Sequence, residues 1–176
     1  MNTTGTIEWS SAKPRATDDM IATVEKQLGI HYPADFRVLA PTIHDSRPSL
    51  VTFFYNHRGL GRVGSSFSYV LSFNPTSSAY VPRKMANLES GLIPAGVVPF
   101  GIDGGGDLMA FDFRQDADNP PVVYVAISDA EEEGERHIYP LAPSFSAFLD
   151  MLVADPDQPS PSGDRVDEVP STADRR

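Results

Sequence analysis

Val97-Val98-Pro99-Phe100-Gly101-Ile102-Asp103-Gly104-Gly105-Gly106-Asp107-Leu108-Met109-Ala110-Phe111-Asp112-Phe113 is the stretch on which the fold turns. An apolar lead enters three glycines held between two aspartates, and glycine's freedom at positive φ suits a tight bend or bulge feeding a strand. Beyond the bend, Met109, Phe111 and Phe113 alternate with small or polar positions, the period of a strand with one buried face. Asp116-Ala117-Asp118-Asn119-Pro120 then has the chemistry of a hairpin loop. Pro121-Val122-Val123-Tyr124-Val125-Ala126-Ile127 is apolar at both parities, as a central strand covered on both faces requires.

Upstream, Thr17-Asp18-Asp19 precedes a stripe of Ile21, Val24 and Leu28 and is closed by Gly29, which predicts a short amphipathic helix. Tyr32 to Leu39 predicts a second helix, with Pro33 suited to its first turn and Pro41 unable to continue it. Leu50 to Tyr55 and Phe67 to Phe73 are rich in β-branched and aromatic residues and read as two strands, followed by a turn over 74–78. The stretch 79–88 is equally compatible with a helix and with an irregular crossover. Downstream, Ser144 caps a helix whose stripe is Phe145, Phe148, Leu149, Leu152 and Val153. The expected organisation is an N-terminal extension at 1–16, an α+β domain at 17–154, and a disordered, acidic, Pro-rich tail at 155–176. In the tail, Val166 and Val169 are too little apolar surface to offset the entropy of ordering it.

Composition narrows the function classes. The 176 residues contain no cysteine, which excludes disulfides, thiolate zinc sites and cysteine nucleophiles and makes the reducing cytoplasm the expected location. No run of apolar residues is long enough to span a bilayer, so no membrane partner is expected. The formal net charge is −10, which disfavours a nucleic-acid partner. The charge is uneven: 1–100 carries a net +2 and 101–153 a net −9, so one end of the domain is expected to be acidic.

Four segments stand in order along the chain: the helix end Val24-Glu25-Lys26-Gln27-Leu28-Gly29, the turn Tyr32-Pro33-Ala34-Asp35-Phe36, the segment from Ile93 to Asp107, and the closing Leu141-Ala142-Pro143-Ser144-Phe145-Ser146-Ala147-Phe148-Leu149. Together they resemble the SUKH superfamily, whose founding members include the Smi and Knr cell-wall regulators of fungi. The resemblance covers about 18–153. It departs after the second helix, where many members carry an Asn-Gly-Gly turn and this chain has Pro41-Thr42-Ile43-His44-Asp45-Ser46. The resemblance implies a largely antiparallel mixed sheet with N-terminal helices and a C-terminal helix packed on it. It also implies a binding domain without catalytic activity, since many bacterial relatives look like immunity proteins that neutralise a cognate toxin, often a nuclease. The fungal relatives suggest the alternative, a regulatory scaffold or adaptor.

Residue chemistry agrees with the lack of a reaction centre. Asp103 and Asp107 flank the glycines and would repel a phosphate, and no Lys-Ser/Thr pair completes a P-loop. Asp103, Asp107, Asp112, Asp116 and Asp118 match no calcium loop, and the strand between the two groups separates them by roughly 20 Å. His31, His44, His57 and His137 have no zinc-ligand spacing, and Gly64-Ser65-Ser66-Phe67-Ser68 lacks a nucleophile elbow. No cofactor or metal is expected, and a hydrolase is the weakest of the three classes. What stands out is acidic density: seven carboxylates and no Lys or Arg between 116 and 135. By charge alone that density is an ordinary solvated loop as readily as a contact surface. With the family implication it becomes the expected contact for a basic protein partner, through Asp103, Asp107, Asp129, Glu131, Glu132, Glu133 and Glu135.

Overall fold

A computed structural model describes residues 6–10, 13–87, 91–129 and 137–155. In chain order the elements are β1 (Trp9–Ser10), α1 (Asp18–Leu28), α2 (Ala34–Ile43), β2 (Arg47–Pro48), β3 (Thr52–His57), β4 (Gly61–Ser66), β5 (Tyr69–Val70), α3 (Val81–Ala86), β6 (Val97–Ile102), β7 (Leu108–Asp112), β8 (Val122–Val125), a 3-10 turn (Ile127–Asp129), β9 (Ile138–Ala142) and α4 (Phe145–Asp150). Strands β5-β6-β7-β8-β9 form one antiparallel sheet in that order, β3 and β4 form a separate hairpin, and β1 pairs with β2. The helices flank this sheet, which makes the domain the expected α+β class.

The two helices with the clearest sequence signals form where their caps place them. Thr17 accepts the N–H of Met20 at the start of α1, and Ile21 and Val24 are its buried stripe. Ser144 accepts the N–H of Ala147 at the start of α4, which buries Phe145 and Phe148. The expected stripe overshoots, however: α4 ends at Asp150, and Val153 instead exchanges backbone hydrogen bonds with Thr52 of β3. The second helix departs in the other direction and runs through Pro41 to Ile43. Pro41 forfeits one donor in the final turn, but the turn buries Ala40 and Ile43 completely, and the Pro41 carbonyl accepts the N–H of Ala16.

Where the relatives' Asn-Gly-Gly turn would fall, Asp45 takes a left-handed conformation with φ 55°. Its carboxylate is held there by the hydroxyls of Ser72 and Ser77. The stretch 79–88 contains a helix, α3, rather than an irregular crossover.

The β readings need four corrections. The expected strand 67–73 joins the sheet only at Tyr69–Val70, with Ser72 in a single parallel bridge to Tyr80, while Phe67, Leu71 and Phe73 enter the core. Sequence reasoning passed over β4, which pairs residue for residue with β3 from Thr52↔Ser66 to His57↔Gly61. It also passed over β9, which tolerates Pro140 because it is the edge strand of the sheet. Finally, β7 is buried on both faces rather than one, since it is the middle strand of five.

Five phenylalanines knit the layers together. Phe36 of α2, Phe100 of β6, Phe111 of β7, and Phe145 and Phe148 of α4 meet at ring distances such as 4.9 Å for Phe36–Phe145 and 4.6 Å for Phe100–Phe111. Phe100 reaches this cluster because the register of β6 slips between Pro99 and Gly101. Gly101 is required beside it, since a Cβ there would lie 2.5 Å from the Phe67 ring.

Candidate partner-binding site

The turn between β6 and β7 lies at one end of the sheet, and the β3–β4 hairpin lies against that end. Asp103 organises the turn. Its Oδ1 accepts the N–H groups of Gly105, Gly106 and Asp107 at 2.8, 2.8 and 2.9 Å. Its own N–H donates to the Asp107 carbonyl, and Gly106 supplies the φ of +102° that closes the loop. Its Oδ2 accepts the Tyr124 hydroxyl of β8 at 2.7 Å and the Ser65 hydroxyl of β4 at 2.9 Å. Asp103 is only 8% exposed, so both oxygens are committed within the fold.

Asp107 is tied in the same way. Its Oδ1 accepts the N–H of Ser128, and its Oδ2 accepts the Ser128 hydroxyl at 2.9 Å and lies 3.1 Å from the Tyr124 hydroxyl. Tyr124 has one proton for two carboxylates, and the shorter distance assigns it to Asp103. Burial, reinforced by the hydrogen bond to Asp103 and the charges of Asp107 and Asp103, pushes the Tyr124 hydroxyl far above its ordinary pKa against the opposing Ser65 hydrogen bond. Tyr55 of β3 is shifted upward as well, by burial first and then by Asp129, Tyr139, Asp107 and Asp103.

Asp129 is the third candidate at this end. Its Oδ2 lies 3.1 Å from Nε2 of His57, the last residue of β3. Nδ1 of His57 accepts the N–H groups of Gly59 and Leu60, so the imidazole proton sits on Nε2 and is donated to Asp129. The ring stacks on Tyr139 at 5.2 Å, and the Arg58 guanidinium lies over the same tyrosine, 5.2 Å from its centroid.

The fold thus brings together three of the expected carboxylates, Asp103, Asp107 and Asp129. Glu131, Glu132, Glu133 and Glu135 lie outside the described residues. Asp116 and Asp118 stand at the opposite end of β7, where Asp116 accepts the N–H groups of Asp118 and Asn119. Sequence reasoning missed Tyr55, His57, Ser65, Tyr124 and Ser128, and no local motif marks them, because three different strands and a turn deliver them.

The donors around Asp103 and Asp107 have one property in common: all are neutral. Backbone amides, a tyrosine and two serines satisfy the oxygens, and among the described residues neither carboxylate forms an ion pair. Hydrogen bonding of this kind holds a carboxylate in place without cancelling its charge. The hydroxyls at this end bond to carboxylates rather than to an imidazole, and Nδ1 of His57 is occupied by main chain. Among the described residues no group of three or more His, Asp or Glu side chains is placed to hold a metal ion, and no helix is long and apolar enough to cross a membrane.

The domain is of the α+β class, with a carboxylate–tyrosine web fixed at one end of its main sheet. The SMI1 / KNR4 family (SUKH-1) model matches residues 15–151, and the chain belongs to that family. No curated protein matches the chain.

Proposed function

We propose that this chain is a non-catalytic protein-binding domain, an immunity protein that neutralises a cognate bacterial toxin by covering a basic surface on it. One observation carries the reading: among the described residues Asp103 and Asp107 are fixed at one end of the sheet by neutral donors alone, which leaves their negative charge uncancelled. Asp129 adds to that charge, and the sequence continues through Glu131, Glu132, Glu133 and Glu135. A nuclease needs a basic groove for phosphates, and a rigid array of carboxylates matches such a groove at no further cost in side-chain ordering. Family membership supports a protein partner. The immobilised hydroxyls and the raised pKa of Tyr124 support binding over catalysis, since a phenol held protonated serves poorly as a base.

The test is co-expression with the product of the adjacent gene. Growth arrest by that product should be relieved by this chain, and the purified pair should co-elute. Failure to relieve arrest when both proteins are soluble and abundant would falsify the immunity reading for that pair. A partner that is captured but lacks a basic surface would overturn the electrostatic part.

A further inference from the structure

Among the described residues no strand pairs with the outer edge of β4. Thr52 exchanges both its backbone hydrogen bonds with Val153, on the side away from β4. Thr52↔Ser66 is therefore a non-hydrogen-bonded pair of the hairpin, and by alternation so are Phe54↔Gly64 and Asn56↔Arg62. The N–H and C=O groups of Arg62, Gly64 and Ser66 point outward, and among the described residues none of these six groups has a hydrogen-bond partner. Such a row is a template for another strand, and proteins usually guard it with proline, a bulge or an edge charge. Strand β4 has no proline and no bulge. Its one charge, Arg62, is drawn over the Phe54 ring, 4.0 Å from the centroid.

Beside the edge lies an open groove of about 460 Å³, lined by Thr52, Gly64, Ser65, Ser66, Asp103, Gly104, Gly105 and Asp155. Its far wall is the glycine turn, where Gly104 and Gly105 present main chain rather than side chains. The uncancelled charge of Asp103 on its wall sets the chemistry of the occupant. A second copy of this chain would bring another formal charge of −10 to the same place, whereas an extended segment rich in Lys or Arg is attracted.

We propose that the outer edge of β4 takes up an extended, basic segment of the partner protein as an added strand. This deepens the protein-binding reading above and rests on it. Main-chain hydrogen bonds to Arg62, Gly64 and Ser66 supply affinity, and the fixed carboxylates select for positive charge.

The experiment titrates the full-length, isotope-labelled chain with a synthetic ten-residue peptide of alternating Lys and Val. Its comparisons are an alternating Glu and Val peptide and a Lys and Val peptide N-methylated at every second residue. The Lys peptide should shift the amides of Arg62, Gly64 and Ser66 and slow their exchange with solvent. The N-methylated peptide should bind at least about tenfold more weakly, because it cannot complete the ladder. In the protein, Ser66→Pro removes an outward donor that β3 does not use and should weaken the Lys peptide similarly. Because the N-methylated peptide is tested on the unaltered protein, the result stands even if that variant folds poorly. The proposal is overturned if those amides do not respond, if N-methylation or Glu for Lys makes no difference, or if sedimentation shows the chain pairing with itself through this edge. If Ser66→Pro captures the adjacent gene's product normally while Asp107→Lys does not, the edge is wrong and the acidic-surface reading survives. The reverse pattern upholds the edge and removes the acidic surface.

Discussion

The two ends of β7 use the same residue type in opposite ways. At the end facing the glycine turn, Asp103 and Asp107 spend their oxygens on neutral donors drawn from β4, β8 and the turn itself. At the other end, Asp112 is paired with the guanidinium of Arg114 at 2.8 Å, and Asp116 caps an exposed loop. The first arrangement orders the chain and preserves charge; the second cancels charge or leaves it to water. Counting carboxylates therefore says little about either stability or binding, whereas the kind of donor each one meets says a good deal.

Asp103→Ala should strain that contrast most. It removes the acceptor of three turn amides and of the buried Tyr124 hydroxyl, and a loss of about 3 kcal/mol is expected by urea denaturation, against less for Asp103→Asn. If the alanine variant is as stable as the parent, Asp103 does not organise the turn.

Tyr124→Phe should rank next, at about 1–3 kcal/mol, because it removes the donor between two carboxylates. Its pH signature follows from the raised folded-state pKa. The neutral hydroxyl contributes fully below the ordinary value of 10.0, and stability falls as pH rises beyond it. The parent should lose stability above about pH 10 more steeply than Tyr124→Phe in alkaline melts.

Asp112→Asn probes the other end. The Arg114 guanidinium, through its side-chain hydrogen bonds, holds the Asp112 carboxyl below its ordinary value of 3.8. A depressed folded-state pKa adds stability above that value and loses it as pH falls further. A cost of about 1 kcal/mol is therefore expected at neutral pH, shrinking in acid titrations below about pH 4. A cost that stays constant to low pH would mean the pair contributes through packing rather than charge.

Replacing Glu131, Glu132 and Glu133 together by Lys should change stability least, within about 0.5 kcal/mol, while slowing association with a basic partner in low salt. Stopped-flow rates that are unaffected would remove that segment from the encounter.

The helices were legible because cap and stripe are local. Thr17 and Ser144 announce α1 and α4 within a few residues of the apolar positions they serve. The glycine turn, β7 and β8 were legible for the same reason, although the second buried face of β7 depends on its neighbours. Strand β4 was not, since Gly61-Arg62-Val63-Gly64-Ser65-Ser66 has almost no β-propensity, and it pairs because β3 offers a matching ladder while burying Phe53. Pro41 misled because a penalty paid once at a helix end is smaller than the burial of Ala40 and Ile43.

The amino-acid sequence by itself determined the α+β class, the family, the absence of thiol chemistry and the acidic bias of the second half, all of which are properties of composition or of neighbours along the chain. Only the tertiary structure decided which carboxylates share a site and what each one faces. Ser65, Tyr124 and Ser128 lie 38, 21 and 21 positions from the aspartates they bond, and strand register alone brings them there. An open strand edge is equally invisible in a linear reading, because a main-chain group is unpaired only with respect to the whole fold.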